Sequence, residues 1–212
     1  VRFSNQIRSD RIKIEEIREY HGYWSINNRN YIWLSNDEIS PFLKDFFTVS
    51  GLENKKIKKF NSNYNSIQDN YYNIPLIIHS SIETTDLIKE NQKNIYSFEV
   101  GKLIGLQSNL FDETKRVNDI EINFPNEYEY NIRIKIPRGF ELTDISALNM
   151  TSKYLAVSGE VIAYFHSKAN IEGRFLLIKI SEYYKSLYYD KSRYNDFRKV
   201  INTAANFYKK KI

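Results

Sequence analysis

The strongest constraint on the fold of this 212-residue chain is a strict alternation of side chains over residues 128–136. One side consists of Tyr128, Tyr130, Ile132, Ile134 and Ile136, and the other of Glu129, Asn131, Arg133 and Lys135. A period of two is that of a β-strand with one buried and one solvated face. Sheets with one wet face are commonly antiparallel, so the segment predicts a strand of an antiparallel sheet.

Other strand-like runs precede this segment. In the middle third of the chain, strands are predicted over residues 57–64, 74–82 and 95–104. Residues 119–124 are predicted to pair with the alternating segment, because residues 125–127 between them have the length of a hairpin connection.

A meander of three strands is predicted after the alternating segment, over residues 154–158, 161–166 and 174–181. Residues 167–173 are interpreted as the loop between the last two strands. Connections of two to seven residues are too short for parallel crossovers, so these strands are expected to be antiparallel.

Two helices are predicted. Residues 192–209 carry an apolar stripe at helical spacing, made of Tyr194, Phe197, Ile201, Ala204 and Tyr208. A stripe of this kind predicts an amphipathic helix packed on the sheet. Residues 38–47 predict a shorter helix, with Pro41 in its first turn and Asn36 or Asp37 as its N-cap.

The opening residues give a weaker signal. Residues 9–20 allow either a short helix or a strand. Trp24, Ile26, Tyr31, Trp33 and Leu34 surround an Asn-rich insert at 27–30, which predicts a turn between two short strands.

Together these elements predict a mainly β (α+β) chain: an antiparallel β-sandwich-like domain with a short leading helix and a C-terminal amphipathic helix. We interpret residues 1–36 as an uncertain leading segment, consistent with the end of a preceding domain. The antiparallel β domain then spans residues 37–212, with its C-terminal helix at 192–209.

Residue types exclude several kinds of chemistry. The chain has no cysteine, so disulfides, thiolate metal sites and a cysteine nucleophile are excluded. Its three histidines, His21, His79 and His166, show no ligand spacing. The adjacent acids Glu15-Glu16 and Asp112-Glu113 are typical of solvated surface. We predict no catalytic residue, no metal site and no cofactor.

The tyrosines give the best binding signal. Tyr71-Tyr72, Tyr183-Tyr184 and Tyr188-Tyr189 form three doublets among the 17 tyrosines. Exposed rings on a sheet could stack sugars or bases. Adjacent residues of a strand face opposite sides, so we favour one ring of each doublet in the core and the other at its rim. The alternative is a carbohydrate- or ligand-binding module that uses surface tyrosines.

The basic residues gather near the C-terminus. Residues 185–211 contain eight basic and two acidic side chains, within a chain of net charge +5. Such an end could contact phosphate or anionic lipid. We favour a helix with basic residues on its wet face and near its C-terminal end, and predict no nucleic-acid partner.

No run of 18 apolar residues exists, so no transmembrane segment is predicted. The start lacks a methionine and a signal-peptide run, which suggests a piece of something longer.

Spaced motifs over the last hundred residues resemble a known family. They run from Asn109-Leu110-Phe111 and Lys115-Arg116 through residues 119–124, Pro125, Tyr128 and Ile132 to Pro137-Arg138-Gly139-Phe140-Glu141, then to Ser181-Glu182-Tyr183-Tyr184 and Tyr194-Asn195-Asp196-Phe197-Arg198. The chain in this respect resembles the C-terminal β domain of unknown function that follows the transglutaminase-like core in exported proteins of Gram-negative bacteria.

The resemblance implies an accessory domain. In such proteins the preceding core supplies a Cys, His and Asp triad, and this cysteine-free chain can supply no counterpart. We therefore expect a non-catalytic accessory or protein-interaction domain, exported to the periplasm or cell envelope. Its expected partner is the neighbouring transglutaminase-like domain or another envelope protein.

Overall fold

A computed structural model of the chain describes residues 11–34, 40–64, 74–110 and 116–212. The first of its sheets has three antiparallel strands: β1 (Ile12–Tyr20), β2 (Lys55–Ser62) and β3 (Leu76–Thr84). Their order in the sheet is β1-β3-β2. For residues 9–20, which allowed either a short helix or a strand, the structure shows a strand. The strands predicted over 57–64 and 74–82 are confirmed, although they begin and end at other residues.

Two helices lie beside this sheet. Helix α1 (Gly22–Leu34) occupies the stretch for which two strands and a turn were predicted, and that prediction is wrong. Tertiary contacts explain the difference, because Arg29 is buried and donates a hydrogen bond of 2.8 Å to the carbonyl oxygen of Ile74. The Asn28 amide also donates to the carbonyl oxygen of Trp24 within the helix, at 2.8 Å.

Helix α2 (Pro41–Phe46) confirms the later part of the helix predicted over 38–47. Its N-cap is Ser40, whose Oγ accepts a hydrogen bond from the backbone N–H of Leu43 at 3.2 Å. The predicted caps Asn36 and Asp37 lie outside the described residues. Pro41 at the first helical position fits because the missing N–H would have no partner within the helix.

The second sheet has four antiparallel strands: β7 (Asn126–Lys135), β8 (Met150–Leu155), β9 (Val161–Glu172) and β10 (Phe175–Tyr184). Their order in the sheet is β7-β10-β9-β8. The alternating strand and the three-strand meander are therefore confirmed, except that the first meander strand lies at Met150–Leu155 rather than 154–158, because residues 156–160 form the turn before β9. The loop predicted over 167–173 is wrong, because β9 continues to Glu172 and only two residues connect it to β10. Gly173 begins this tight turn with φ of 58°, a conformation that glycine adopts without strain.

Two short strand pairs complete the β structure of the described residues. Strand β4 (Ile88–Gln92) pairs with β5 (Ile95–Phe98), and β6 (Ile120–Glu121) pairs with β11 (Tyr188–Tyr189). The single strand predicted over 95–104 is wrong in its second half, which forms a 3-10 turn at Val100–Ile104. The hairpin predicted between residues 119–124 and β7 is also wrong, since β6 pairs instead with β11, 67 positions away.

Helix α3 (Tyr194–Tyr208) confirms the predicted C-terminal helix, and one 3-10 turn (Lys191–Arg193) precedes it. The helix packs on β8 and β9. Its buried side chains are Tyr194, Phe197, Val200, Ala204, Ala205 and Phe207. The buried stripe is thus rotated from the predicted one, because Ile201 and Tyr208 are only partly buried.

One apolar core joins the inward face of the four-stranded sheet, α3 and part of the three-stranded sheet. Phe165, Leu176 and Ile82 are fully buried in it. This arrangement of antiparallel sheets with a short leading helix and a C-terminal helix confirms the β-sandwich-like α+β class. The division predicted at residue 36 stays a prediction. Within the described residues, no helix is both long and apolar enough to cross a membrane.

Candidate functional site

The candidate site is the outward side of the four-stranded sheet, which we call the open face. It consists of the side chains of β7–β10 that point away from α3. The inward residues of β9 are buried, as Ala163, Phe165 and Ser167 show, whereas the residues between them face outward. The same period of two places the outward residues of all four strands on one surface.

Three aromatic rings form a cluster on this face, which we call the ring cluster: Tyr164, His166 and Tyr183. Tyr164 and Tyr183 are direct cross-strand partners, with ring centroids 5.3 Å apart and ring planes 31° apart. The rings of Tyr164 and His166 are 5.9 Å apart and within 18° of parallel. The cluster therefore presents three adjoining rings across two strands, of which Tyr164 and His166 are nearly parallel.

Polar groups flank the ring cluster. Thr151 Oγ1 and His166 Nδ1 share a hydrogen bond of 2.8 Å, which holds the imidazole against β8. The Lys185 ammonium lies 4.8 Å from the centroid of the Tyr183 ring, within cation–π distance. Burial raises the pKa of the Tyr183 phenol, and the charges of Glu127 and Glu160 raise it further. The phenol is consequently a neutral hydrogen-bonding group at physiological pH.

Basic side chains dominate the rest of the open face: Arg133, Lys135, Lys153, Lys168 and Lys179 on the strands, and Lys185, which immediately follows β10 and lies over the Tyr183 ring. None of these six cations forms an ion pair within the part of the chain that the structure describes. Acidic residues are fewer on this face: Glu127 is the cross-strand partner of Tyr183, Glu129 is that of Ser181, and Glu172 ends β9. The open face therefore carries an excess of positive charge.

Two of these cations oppose each other directly. The register of β9 and β10 pairs Lys168 with Lys179, and both are exposed. Across β10, the partner of Lys179 on β7 is the uncharged Asn131. Like charges directly opposite in a sheet are destabilising. This pair, which we call the lysine pair, is therefore an arrangement that the fold alone does not favour.

The inward side of β10 carries a buried carboxyl group that has a hydrogen-bond partner. Glu182 is 7% exposed and accepts a hydrogen bond of 2.7 Å from the Tyr184 hydroxyl. Burial raises the pKa of Glu182, although the hydrogen bond from Tyr184 opposes this shift. Burial and the nearby Glu182 charge also raise the pKa of Tyr184. These two groups are enclosed by the core, so we assign them to packing rather than to ligand binding.

The structure distributes the three histidines over different elements. His21 immediately precedes α1 and is exposed, His79 is an exposed residue of β3, and His166 belongs to the ring cluster. Across the described ranges, no group of three or more His, Asp or Glu side chains could hold a metal ion.

The adjacent acids Glu15 and Glu16 face opposite sides of β1. Glu15 accepts from Ser81 Oγ at 3.1 Å, and Glu16 accepts from Arg18 Nε at 2.7 Å. Both carboxylates are therefore held by neighbours within the three-stranded sheet. Asp112-Glu113 lies outside the described residues.

The tyrosine doublets divide as predicted where they are described. Tyr184 and Tyr189 are buried, while Tyr183 belongs to the open face and Tyr188 is 62% exposed. Burial also raises the pKa of Tyr189 to about 12. Tyr71-Tyr72 lies outside the described residues. One ring of each described doublet thus packs in or against the core, and only Tyr183 joins another ring on the open face.

Several cations of the basic C-terminal region have partners within the chain. Lys191 Nζ donates to the carbonyl oxygen of Val117 at 2.7 Å, and Arg193 pairs with Asp196 at 3.0 Å. Lys211 pairs with Glu99 at 2.6 Å, beside a backbone pair that joins Phe98 and Ile212. These residues fasten the C-terminus to the domain, which accords with a structural role for much of the basic region.

Two surface cavities lie away from the open face. One of about 500 Å³ lies between α2 and β2 and is lined by Lys44, Lys56 and Lys59 among others. The other, of about 430 Å³, follows α3 around Asn202. Neither includes an open-face residue. Small molecules usually bind in concave sites, so the open face is better suited to a broad partner.

The geometry defines a class: a β-sandwich-like α+β domain with a helix on one side of its main sheet and a basic, aromatic face on the other. The family model that matches the chain is described as a domain of unknown function with a solved structure, DUF3858, and it covers residues 93–212. Because the match spans more than half of the chain, the chain belongs to this family. The matched residues contain the entire four-stranded sheet and α3. Searches of curated proteins and of solved structures found no match.

Proposed function

We propose that the chain is a non-catalytic accessory domain of an exported transglutaminase-like protein, acting by contact with the neighbouring core or with another cell-envelope protein. The open face carries this proposal, because it combines the ring cluster with six cations that have no ion-pair partner in the described chain. Tyrosine is enriched in protein interfaces, and complementary charge steers and orients partners.

Two further observations support an accessory role. The motifs that resemble the transglutaminase-associated β domain begin at Asn109 and continue into α3, within the residues that the family model matches. Tyr184 and Tyr189, two tyrosines whose pKa values are raised strongly, are enclosed by the core rather than gathered in a cleft. We propose on the same basis that the protein is located in the periplasm or cell envelope.

Gene context provides the first test. The proposal expects a transglutaminase-like core in the same reading frame, upstream of these residues, together with an export signal at the start of that frame. Fractionation of cells should then recover the protein with the periplasm or envelope. A free-standing frame with its own signal peptide would contradict the accessory role, and recovery from the cytoplasm would contradict the location.

Binding provides the second test. The chain and the transglutaminase-like core, purified separately, should associate in isothermal titration calorimetry. Tyr164→Ala should weaken this association, because it removes the central ring of the open face. Tyr188→Ala is the matched control, since Tyr188 is exposed on a different element. Equal losses in both variants would show that the open face is not the contact.

Saccharide binding is the second candidate function, favoured by the nearly parallel rings of Tyr164 and His166. Affinity electrophoresis in gels containing a soluble polysaccharide tests it. Retardation that Tyr164→Ala abolishes and Tyr188→Ala preserves would support a carbohydrate-binding module. Unchanged mobility across neutral and acidic polysaccharides would contradict this function and leave protein contact as the role of the face.

A further inference from the structure

We infer that the open face binds an acidic protein surface, and that the lysine pair Lys168–Lys179 is the centre of the contact. This inference rests on the proposed accessory function and adds the chemical character of the partner. The cross-strand register places the two lysines opposite each other on β9 and β10, and the next neighbour of Lys179 on β7 is the uncharged Asn131.

The lysine pair is an unfavourable feature for the isolated domain. Direct cross-strand pairs of like charge destabilise a sheet, whereas opposite charges at these positions would stabilise it. A partner carboxylate placed between the two ammonium groups would convert their repulsion into two attractive contacts. The free energy that the isolated sheet loses through repulsion would then favour the complex.

The cations around the lysine pair also favour an acidic partner. Lys153 and Lys185 flank the ring cluster, and Arg133 lies over the Phe175 ring with its guanidinium carbon 3.7 Å from the centroid. Ring stacking of this kind holds the guanidinium in place on the face. The cations thus form a field wide enough to steer an acidic partner, with half-buried rings between them.

The extent of the face favours a protein over a small ligand. Four strands at about 4.8 Å spacing and ten residues at about 3.3 Å cover about 600 Å², close to one side of a standard protein interface at about 800 Å². The cavity between α2 and β2 and the cavity along α3 both lie elsewhere. A broad face with charge excess therefore matches a protein surface bearing several carboxylates.

The test uses the whole chain and three probes: poly-L-glutamate, polygalacturonate and oligothymidylate. Isothermal titration calorimetry compares the unmodified chain with the double variant Lys168→Glu/Lys179→Glu. The matched control is Lys89→Glu/Lys93→Glu, which makes the same change of charge at two exposed positions on the β4–β5 hairpin. Circular dichroism of each variant verifies that the fold is retained.

We expect poly-L-glutamate to bind the chain, and the lysine-pair variant to lose affinity by about tenfold or more while the control changes by less than about threefold. Raising the ionic strength should weaken the binding. Absence of poly-L-glutamate binding, or equal losses in the two variants, would overturn the inference. Tighter binding of polygalacturonate or oligothymidylate through the same lysines would overturn it in favour of an acidic saccharide or a nucleic acid.

A separate measurement distinguishes this inference from the proposed function. If the chain associates with a transglutaminase-like core and the lysine-pair variant associates equally well, the accessory function stands and the inference fails. If the chain binds poly-L-glutamate through the lysine pair but no transglutaminase-like core, the acidic preference stands and the accessory function requires another envelope partner.

Discussion

The two faces of the four-stranded sheet differ in whether their polar and charged side chains have partners within the described chain. On the inward face, the Glu182 carboxylate accepts a hydrogen bond from Tyr184, and Ser167 Oγ donates to the carbonyl oxygen of Leu148 at 2.6 Å. On the outward face, Lys168 and Lys179 oppose each other and neither has an ion-pair partner in the described chain. The inward face therefore follows the requirements of packing, whereas the outward face retains a repulsion that packing does not require.

The largest expected effect is a difference in the free energy of unfolding between substitutions at two consecutive residues of β9. Phe165 is fully buried and its ring lies 6.1 Å from that of Phe207 in α3, whereas Tyr164 faces outward. Phe165→Ala should lower the free energy of unfolding by about 3–5 kcal/mol, because it leaves a cavity between the sheet and α3. Urea unfolding measures this change, and Tyr164→Ala is the control, for which we expect a much smaller loss. Comparable losses would show that the two faces do not differ in packing.

A smaller effect is expected where α3 meets the rest of the core. Gly101 lies against the end of α3, where an added methyl group would overlap the backbone carbonyl oxygens of Phe207 and Tyr208. Gly101→Ala should lower the free energy of unfolding by about 1–3 kcal/mol, because backbone atoms cannot move aside as a flexible side chain does. A methyl group added at Gly159 would contact no other atoms, so Gly159→Ala serves as a comparison that measures only the cost of a side chain at positive φ. An unchanged unfolding midpoint in Gly101→Ala would show that α3 is not held tightly at this position.

Sequence patterns predicted the elements whose burial follows a simple period. Strand β7 was recognisable because Ile132 and Ile134 alternate with charged residues, and α3 because Phe197 and Ala204 repeat at helical spacing. Helix α1 was not recognisable in this way. Its aromatic residues and asparagines favour strands and turns locally, and the contact that Arg29 makes with Ile74 comes from a distant part of the chain.

A pH-dependent effect tests the inward face. Because the pKa of Glu182 is raised by burial, the folded protein binds this proton more tightly than the unfolded chain does. The contribution of Glu182 to stability is therefore fully present at pH values below the unfolded pKa and is lost as the pH rises through the folded pKa. Glu182→Gln stays neutral and keeps an acceptor for the Tyr184 hydroxyl.

The stability of Glu182→Gln relative to the unmodified chain should accordingly increase as the pH rises from acid towards neutral. Urea unfolding at a series of pH values measures this difference. Asp144→Asn is a useful control, because Asp144 is exposed and its pKa is lowered by hydrogen bonds from Ser146, so the sign of the trend should reverse. A difference that does not change with pH would show that Glu182 titrates normally in the folded state.

The open face could be predicted only in part. The doublet Tyr183-Tyr184 indicated one outward ring, which the structure confirms. The partners of that ring depend on register, since the hairpin between β9 and β10 turns at Gly173 rather than within a seven-residue loop. A shift of one residue would send Tyr164 and Lys168 into the core. The ring cluster and the lysine pair therefore needed the structure, because no local pattern specifies which residues of two strands stand opposite each other.

The smallest expected effect is a gain of stability, and it tests the outward face most directly. Lys168→Glu places a carboxylate opposite Lys179 and should raise the free energy of unfolding by about 0.2–1 kcal/mol, because an attractive cross-strand pair replaces a repulsive one. Lys153→Glu is the control, since its partner on β9 is Tyr164 rather than a lysine. Urea unfolding at low and high ionic strength should show a gain for Lys168→Glu alone, and salt should reduce it. Equal gains in both variants would mean that net charge, rather than the opposition of two lysines, sets the stability of this face, and the contrast between the two sides of the sheet would then no longer indicate a binding surface.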